Sequence, residues 1–240
     1  MSRLPDKVLF WDFDGTLASA PGLWVHAIYS ELEDTLPGNG IGMERVREKN
    51  QTGYPWHHPE RDHRALIRPG AWWTYMETVF TGIYRNLGID EKTSSVMAGR
   101  IRRRILDPRN YTLLPDALQV LTSCRDRGYA NWLLSNHMPE LGEVLSALGL
   151  APLLDGVLLS AEIGYEKPHP AVFDIALERT GHPDTRYMIG DNPIADIAGA
   201  KRAGIPAILV ETATGHPWQP GPVPPDFTCS RLMDILDFIP

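Results

Sequence analysis

Two aspartates two residues apart, in Asp12-Phe13-Asp14, are followed by Gly15-Thr16-Leu17 and preceded by the apolar run Val8-Leu9-Phe10-Trp11. The run has the length of a buried strand, and the acids stand where the chain leaves it. Ser135-Asn136 closes a second apolar run, and Glu166-Lys167-Pro168 follows a third. Gly190-Asp191-Asn192 closes a fourth, with Asp196 one helical turn later. Brought to one place, Asp12, Asp14 and Asp191 put up to three negative charges together, which is unstable unless a cation neutralises them. Hard carboxylate oxygens select Mg2+, an ion that keeps several waters and also takes oxygens from phosphate. Gly15 allows a tight turn at that point. Ser135 and Lys167 supply a hydroxyl donor and a positive charge for an oxyanion.

The elements around these residues must bring them together. After about Leu113 apolar strands alternate with helical stripes. Ala117, Val120, Leu121 and Cys124 mark a helix face, and Ala130 to Leu134 a strand. Leu141, Val144, Leu145 and Leu148 mark the next helix, Gly156 to Leu159 a strand, and Phe173, Ala176 and Leu177 a helix. Tyr187-Met188-Ile189 is a strand, Ile194 to Ala203 a helix, Ala207 to Val210 a strand, and Leu232, Ile235, Leu236 and Ile239 a closing helix. Alternation of this kind predicts βαβ units and a parallel sheet, with near-continuous apolar strands because both faces are covered. In such sheets ligands bind beyond the carboxyl ends of the strands, which is where the polar residues above fall. Between the first two strands the chain reads as helical, through Trp24, Ala27, Ile28 and Leu32, then Trp72, Tyr75, Met76 and Val79, then Met97, Ile101 and Ile105. Pro37 to Pro69 has little periodicity and predicts loops with one short helix. Gly215 to Pro225 is proline-rich and reads as an irregular surface connection. The expected architecture is a Rossmann-like, doubly wound α/β core, residues 1–17 and 113–240, with an inserted α-helical cap, residues 18–112.

The segment Asp12-Phe13-Asp14-Gly15-Thr16-Leu17 resembles the first motif of the haloacid dehalogenase superfamily. Ser135, Lys167 and Gly190-Asp191-Asn192 resemble its second, third and fourth motifs, in order and at the right strand ends. The resemblance implies a phosphohydrolase with Asp12 as the nucleophile that forms an aspartyl-phosphate. Asp14 would protonate the leaving oxygen and then activate water. Ser135 would hold the transferring group with Asn136 beside it, and Lys167 would pair with Asp12 and the phosphate. Mg2+ would be held by Asp12, Asp191 and the backbone carbonyl of Asp14, with Asn192 and Asp196 supporting those ligands from behind. Gly15 and Thr16 would line the phosphate site. An acid at position 14 favours phosphate esters, because the dehalogenases resemble this core but lack that acid. An insert between the first and second motifs resembles the helical cap of the family's first subclass. A cap excludes water and large molecules, so the implied substrates are small phosphorylated metabolites. A phosphomutase, a dehalogenase and a non-catalytic binding module are the alternatives on the same fold.

Other features have plainer readings. His57, His58 and His63 read as polar cap-loop residues in preference to a metal site. The run Arg100, Arg102, Arg103 and Arg104 reads as a solvated helix face, with an anion-steering patch as the functional alternative. Trp72 and Trp73 read as core or interface residues. Ser135 and Asn136 also suit a helix N-cap. A net charge of −7 argues against a generic nucleic-acid partner. Two cysteines outside any C-x-x-C pattern give no disulfide framework. No apolar stretch is long enough for a bilayer, and a cytoplasmic location is expected.

Overall fold

The computed structural model describes residues 4–211 and 220–240. Residues 215–219 of the expected irregular connection lie outside the described residues, and residues 220–225 run without helix or strand.

The first strand, β1 (Lys7–Trp11), is the centre of a six-stranded sheet. Its Val8, Leu9, Phe10 and Trp11 are fully buried, as a strand covered on both faces requires. The short β2 (Ala18–Ser19) follows, and then a wholly helical stretch: α1 (Leu23–Thr35), α2 (Met43–Lys49), α3 (Ala71–Asn86) and α4 (Glu91–Ile105). Single 3-10 turns at Pro55–His57 and Arg64–Ile67 fill the aperiodic region. The chain returns through β3 (Thr112–Leu113), which pairs antiparallel with β2 to make a two-stranded ribbon at the foot of the insertion.

The core then runs α5 (Ala117–Asp126), β4 (Ala130–Ser135), α6 (Leu141–Ala147), β5 (Gly156–Leu159), α7 (Ser160–Ile163), α8 (Pro170–Thr180) and β6 (Thr185–Gly190). A π-helical turn at Pro193–Ala198 leads into α9 (Gly199–Arg202), followed by β7 (Ala207–Val210), β8 (Phe227–Cys229) and a closing 3-10 turn at Leu232–Asp237. The sheet order is β5-β4-β1-β6-β7-β8, with every pairing in it parallel. This is the expected Rossmann-like core with a helical insertion.

The order reverses across β1: β4 and β5 build out on one side, then β6, β7 and β8 on the other. A crevice opens at such a reversal beyond the strand ends. Register aims three chains into it, since Trp11 lies beside Leu133 of β4 and Ile189 of β6. One or two residues on, all three turn polar.

Two helices differ from expectation. The helix from Ile194 to Ala203 begins as a π-turn, and the closing helix is 3-10. The 3-10 form satisfies the same i, i+3 spacing of Leu232 and Ile235, both buried. Trp72, Trp73 and Cys124 are buried in the core, the first and last as their positions on apolar stripes predict and Trp73 as a core or interface residue. No helix among the described residues is long and apolar enough to cross a membrane.

Candidate active site

The turn after β1 is tied to itself and to the sheet. Asp12 N–H donates to Ile189 O at 2.9 Å, and Leu17 and Ala18 N–H both return to Phe13 O. Gly15 takes a left-handed φ of 76°. A Cβ there would come within 2.2 Å of Asp191 Oδ2, so the bare backbone admits the carboxylate of another strand. Gly190 does the same for Asp196, whose Oδ2 lies 2.2 Å from where a Cβ would stand.

Lys167 occupies the centre. Its buried Nζ donates to Asp12 Oδ1 at 2.7 Å and to Asp196 Oδ1 at 2.6 Å. Burial alone would lower the lysine pKa, but Asp12 and Asp196 outweigh it and hold the group above the ordinary lysine range. Burial pushes the Asp196 carboxyl up, opposed by Lys167 and reinforced by Asp12. The second Asp196 oxygen accepts from Asn192 N–H at 3.0 Å. Asn192 in turn caps the π-turn, its Oδ1 accepting from Ile194 and Ala195 N–H. The widened turn is what lets Asp196 face back toward Lys167.

Asp12, Asp191 and Asp196 each offer an oxygen within 4.8 Å of the other two. Three carboxylates against one ammonium leave two negative charges, which a divalent cation neutralises. The donor set is all oxygen, as Mg2+ requires. The residues therefore fit the expected ion. Among the described residues this is the one such cluster, and His57, His58 and His63 make none. His63 Nε2 lies 3.0 Å from His58 O, and His57 packs edge-on against Tyr54.

The remaining expected residues divide. Asp14 is half exposed, and it lines a cavity of about 590 Å3 with Asp12, Gly15, Ser135, Lys167 and Asp191. Asn136 also lines it, but its side chain is committed to the Lys167 backbone, Nδ2 donating to Lys167 O at 2.9 Å and Oδ1 accepting from Lys167 N–H at 2.6 Å. Its amide fixes the lysine loop, with one N–H of Nδ2 used in doing so. Thr16 departs from expectation. It is fully buried, its hydroxyl finds no partner among the described residues, and it is not part of the cavity wall. The tight turn at Phe13 carries its side chain away from the crevice.

His137 was not foreseen. It is buried, its backbone N–H donates to Ser160 Oγ at 3.1 Å, and its ring Nε2 stands 3.3 Å from Asp14 Oδ2. Phe13 packs edge-on against its ring. The only signal in sequence is its place two residues after Ser135, where β4 gives way to the crevice. The arginine run also differs from a simple solvated face. Arg104 Nε donates to Glu31 Oε2 at 2.9 Å, and Arg100 and Arg103 reach the same carboxylate at 3.4 and 3.5 Å. Arg102 binds Glu140 at 2.6 Å.

The family model for haloacid dehalogenase-like hydrolases matches residues 7–204. The chain belongs to that family. Among its relatives, phosphoserine phosphatase of Thermus thermophilus is 39% identical over 126 residues, 52% of this chain and 49% of that protein. This chain therefore spans about half the length of the Thermus relative. Haloacid dehalogenase-like hydrolase domain-containing protein 3 of Mus musculus is 30% identical over 215 residues, covering 87% of this chain and 83% of that one. Pyrimidine 5'-nucleotidase YjjG of Escherichia coli is 28% identical over 183 residues, 73% of this chain and 80% of that one. In fold, this hydrolase matches the magnesium-bound hydrolase YfnB of Bacillus subtilis with a TM-score of 0.71 at 18% identity, covering 98% of each chain. It matches a 2-haloacid dehalogenase of Pseudomonas syringae at 0.68 and 22%, covering 96% of each.

Proposed function

We propose that this hydrolase cleaves small phosphomonoesters in a Mg2+-dependent reaction through an aspartyl-phosphate on Asp12. The observation that carries the reading is the Asp12 carboxylate itself, one oxygen fixed by the Lys167 ammonium at 2.7 Å, beside a second acid, Asp14, that opens into the same cavity. The relatives named as a phosphoserine phosphatase and a pyrimidine 5'-nucleotidase act, by those names, on phosphate esters, which supports the class.

In this mechanism the free oxygen of Asp12 attacks phosphorus and the ester P–O bond breaks. The leaving oxygen takes the proton from Asp14. Asp14 then takes a proton from water as that water attacks phosphorus, which frees phosphate and restores the Asp12 carboxylate. Lys167 offsets charge on the transferring oxygens, and the Ser135 hydroxyl donates to one of them. His137 Nε2, 3.3 Å from Asp14 Oδ2, would donate to that oxygen, which leaves Oδ1 to carry the proton toward the leaving group. Asp196 holds Lys167 in place. Asp12, Asp191 and the Asp14 backbone carbonyl would hold Mg2+, which would supply charge neutralisation for the approaching phosphate. Residues 18–112 act as a cap unit, joined to the core at the β2–β3 ribbon.

The test is phosphate release from simple phosphomonoesters with Mg2+ and with a chelator, beside Asp12→Asn. Release is expected to need both the ion and Asp12, with a loss on the order of 10³-fold or more in the variant. Turnover by folded Asp12→Asn protein at the wild-type rate would remove the covalent mechanism.

A further inference from the structure

The cavity has two walls of different chemistry. The core wall is acidic, with Lys167 already placed between Asp12 and Asp196. The opposite wall comes from the insertion, through Trp24 of α1, Asn50 at the end of α2, and Trp56. Trp56 stacks on Tyr54 with ring centroids 4.7 Å apart at 26°, and Trp24 leans on Trp56 at 5.4 Å and on Tyr54 at 5.3 Å. The buried Tyr54 hydroxyl donates to Asn50 Oδ1. That contact sets the Asn50 amide, leaving Nδ2–H2 as the group it can offer a ligand. Ile194, 55% exposed on the π-turn, adds an apolar lip from the core side. Among the described residues no arginine or lysine of the insertion reaches this lining. The α4 arginines are tied instead to Glu31, Asp34 and Glu140.

We infer that the leaving group of the substrate is uncharged and carries a flat ring with a hydrogen-bond acceptor on its edge, the chemistry of a nucleoside monophosphate or of an aryl phosphate whose ring bears such an acceptor. This rests on the phosphomonoester reading above. A carboxylate on the leaving group would join Asp12, Asp14, Asp191 and Asp196 with no cation of its own to meet it. A flat ring instead finds indole faces, and its acceptor finds the Asn50 amide. The space, about 590 Å3, is of the size that holds a small ligand of that kind. Stacking of one ring on an aromatic side chain is worth about ten- to a hundredfold in affinity.

The experiment compares kcat/KM of the Mg2+-loaded full chain on 5'-UMP, 5'-AMP, phenyl phosphate, glycerol 2-phosphate, phosphoserine and phosphoglycolate. The ring-bearing esters are expected to exceed phosphoserine and phosphoglycolate by roughly 100-fold, from stacking together with relief of charge repulsion. Trp56→Ala lowers the ratio of ring-bearing esters to glycerol 2-phosphate by about tenfold, and Trp56→Phe, which keeps a ring, restores most of it. Asn50→Ala lowers 5'-UMP more than phenyl phosphate, whose ring has no edge acceptor, and an equal effect on both overturns the acceptor contact. Asn50→Arg, which installs a cation in the roof, shifts the ranking toward phosphoserine. Melting temperatures of the variants separate these effects from loss of fold. Phosphate release that favours phosphoserine or phosphoglycolate, or a Trp56→Ala loss equal for every ester, overturns the inference and leaves the phosphomonoester reading standing. No release from any ester by folded, Mg2+-loaded protein takes down the phosphomonoester reading and this inference with it.

Discussion

Two buried charge clusters in this hydrolase are built in opposite senses. In the insertion a single carboxylate, Glu31, is 1% exposed and collects Arg100, Arg103 and Arg104, whose own ends reach solvent. In the core a single ammonium, Lys167, is shared by Asp12 and Asp196 with Asp191 close by. The first cluster is over-supplied with cations that water also solvates, so the buried charge is satisfied and the pair clasps α1 to α4. The second keeps an excess of negative charge beside an open cavity. A buried charge that is fully met serves the fold, whereas one left under-met toward a cavity is reserved for something that arrives.

The comparison breaks if the two central charges behave alike on removal. Lys167→Met is expected to cut turnover on the order of 10³-fold. It also leaves two buried carboxylates facing each other, so its melting temperature should gain more from added Mg2+ than wild type does. An equal Mg2+ gain in both proteins would count against the cluster as the ion's site. Glu31→Gln should instead lower stability by about 2 kcal/mol, less than a fully buried broken pair because its arginines are partly exposed. For a chain this long that is about 4–8 °C in melting temperature, with kcat at low temperature close to wild type. A large kcat loss at unchanged melting temperature would reverse the assignment.

His137→Ala sharpens the functional side. It should lower kcat about tenfold with little change in KM, and His137→Gln should recover most of the loss by restoring a donor to Asp14. Equal loss in both variants would make the residue a packing element only. Glu166 is the intermediate case, a buried carboxyl with one oxygen lacking a hydrogen-bond partner among the described residues. Burial pushes it from 4.5 up to about 7, against the opposing pull of Ser160 and Lys167. The folded state thus holds this proton more tightly than the unfolded one. Its stabilising contribution is complete below about pH 4.5 and is lost as pH rises through about 7. Glu166→Gln should therefore melt higher relative to wild type at pH 8 than at pH 5, by about 4–10 °C, the equivalent of about 2–3 kcal/mol. A constant difference across that range would mean the carboxyl does not titrate there.

The parts legible in sequence are those where residue type is improbable in its place. Acids closing a fully apolar strand at Asp12 and Asp191, and the lysine before Pro168, stand out because nothing in packing asks for them. Continuous apolar strands likewise announce a sheet covered on both faces. What stayed hidden is what depends on partners far along the chain or on very short elements. Strands β2 and β3 have two residues each, too few to show a period. The roles of Asn136 and Thr16 turn on which way one side chain leaves a tight turn. His137 has no spacing signature at all. Glu31 did carry a signal, since it falls on the apolar stripe through Trp24, Ile28 and Leu32. Its arginines lie about seventy residues away on another helix, as the separation to Arg100 shows.

The two glycines that admit Asp191 and Asp196 carry a consequence for how such a protein can change. The carboxylates stand in hollows that a single methyl group would fill, so positions 15 and 190 are closed to substitution although neither residue takes part in any bond-making step. The opposite wall has no such restriction. Asn50 and Trp56 sit at the end of a helix and in a short turn, where side chains can be exchanged without displacing an acid. Side-chain exchange is thus confined to one half of the cavity, and the shape of that half can change while the half that holds the acids stays fixed.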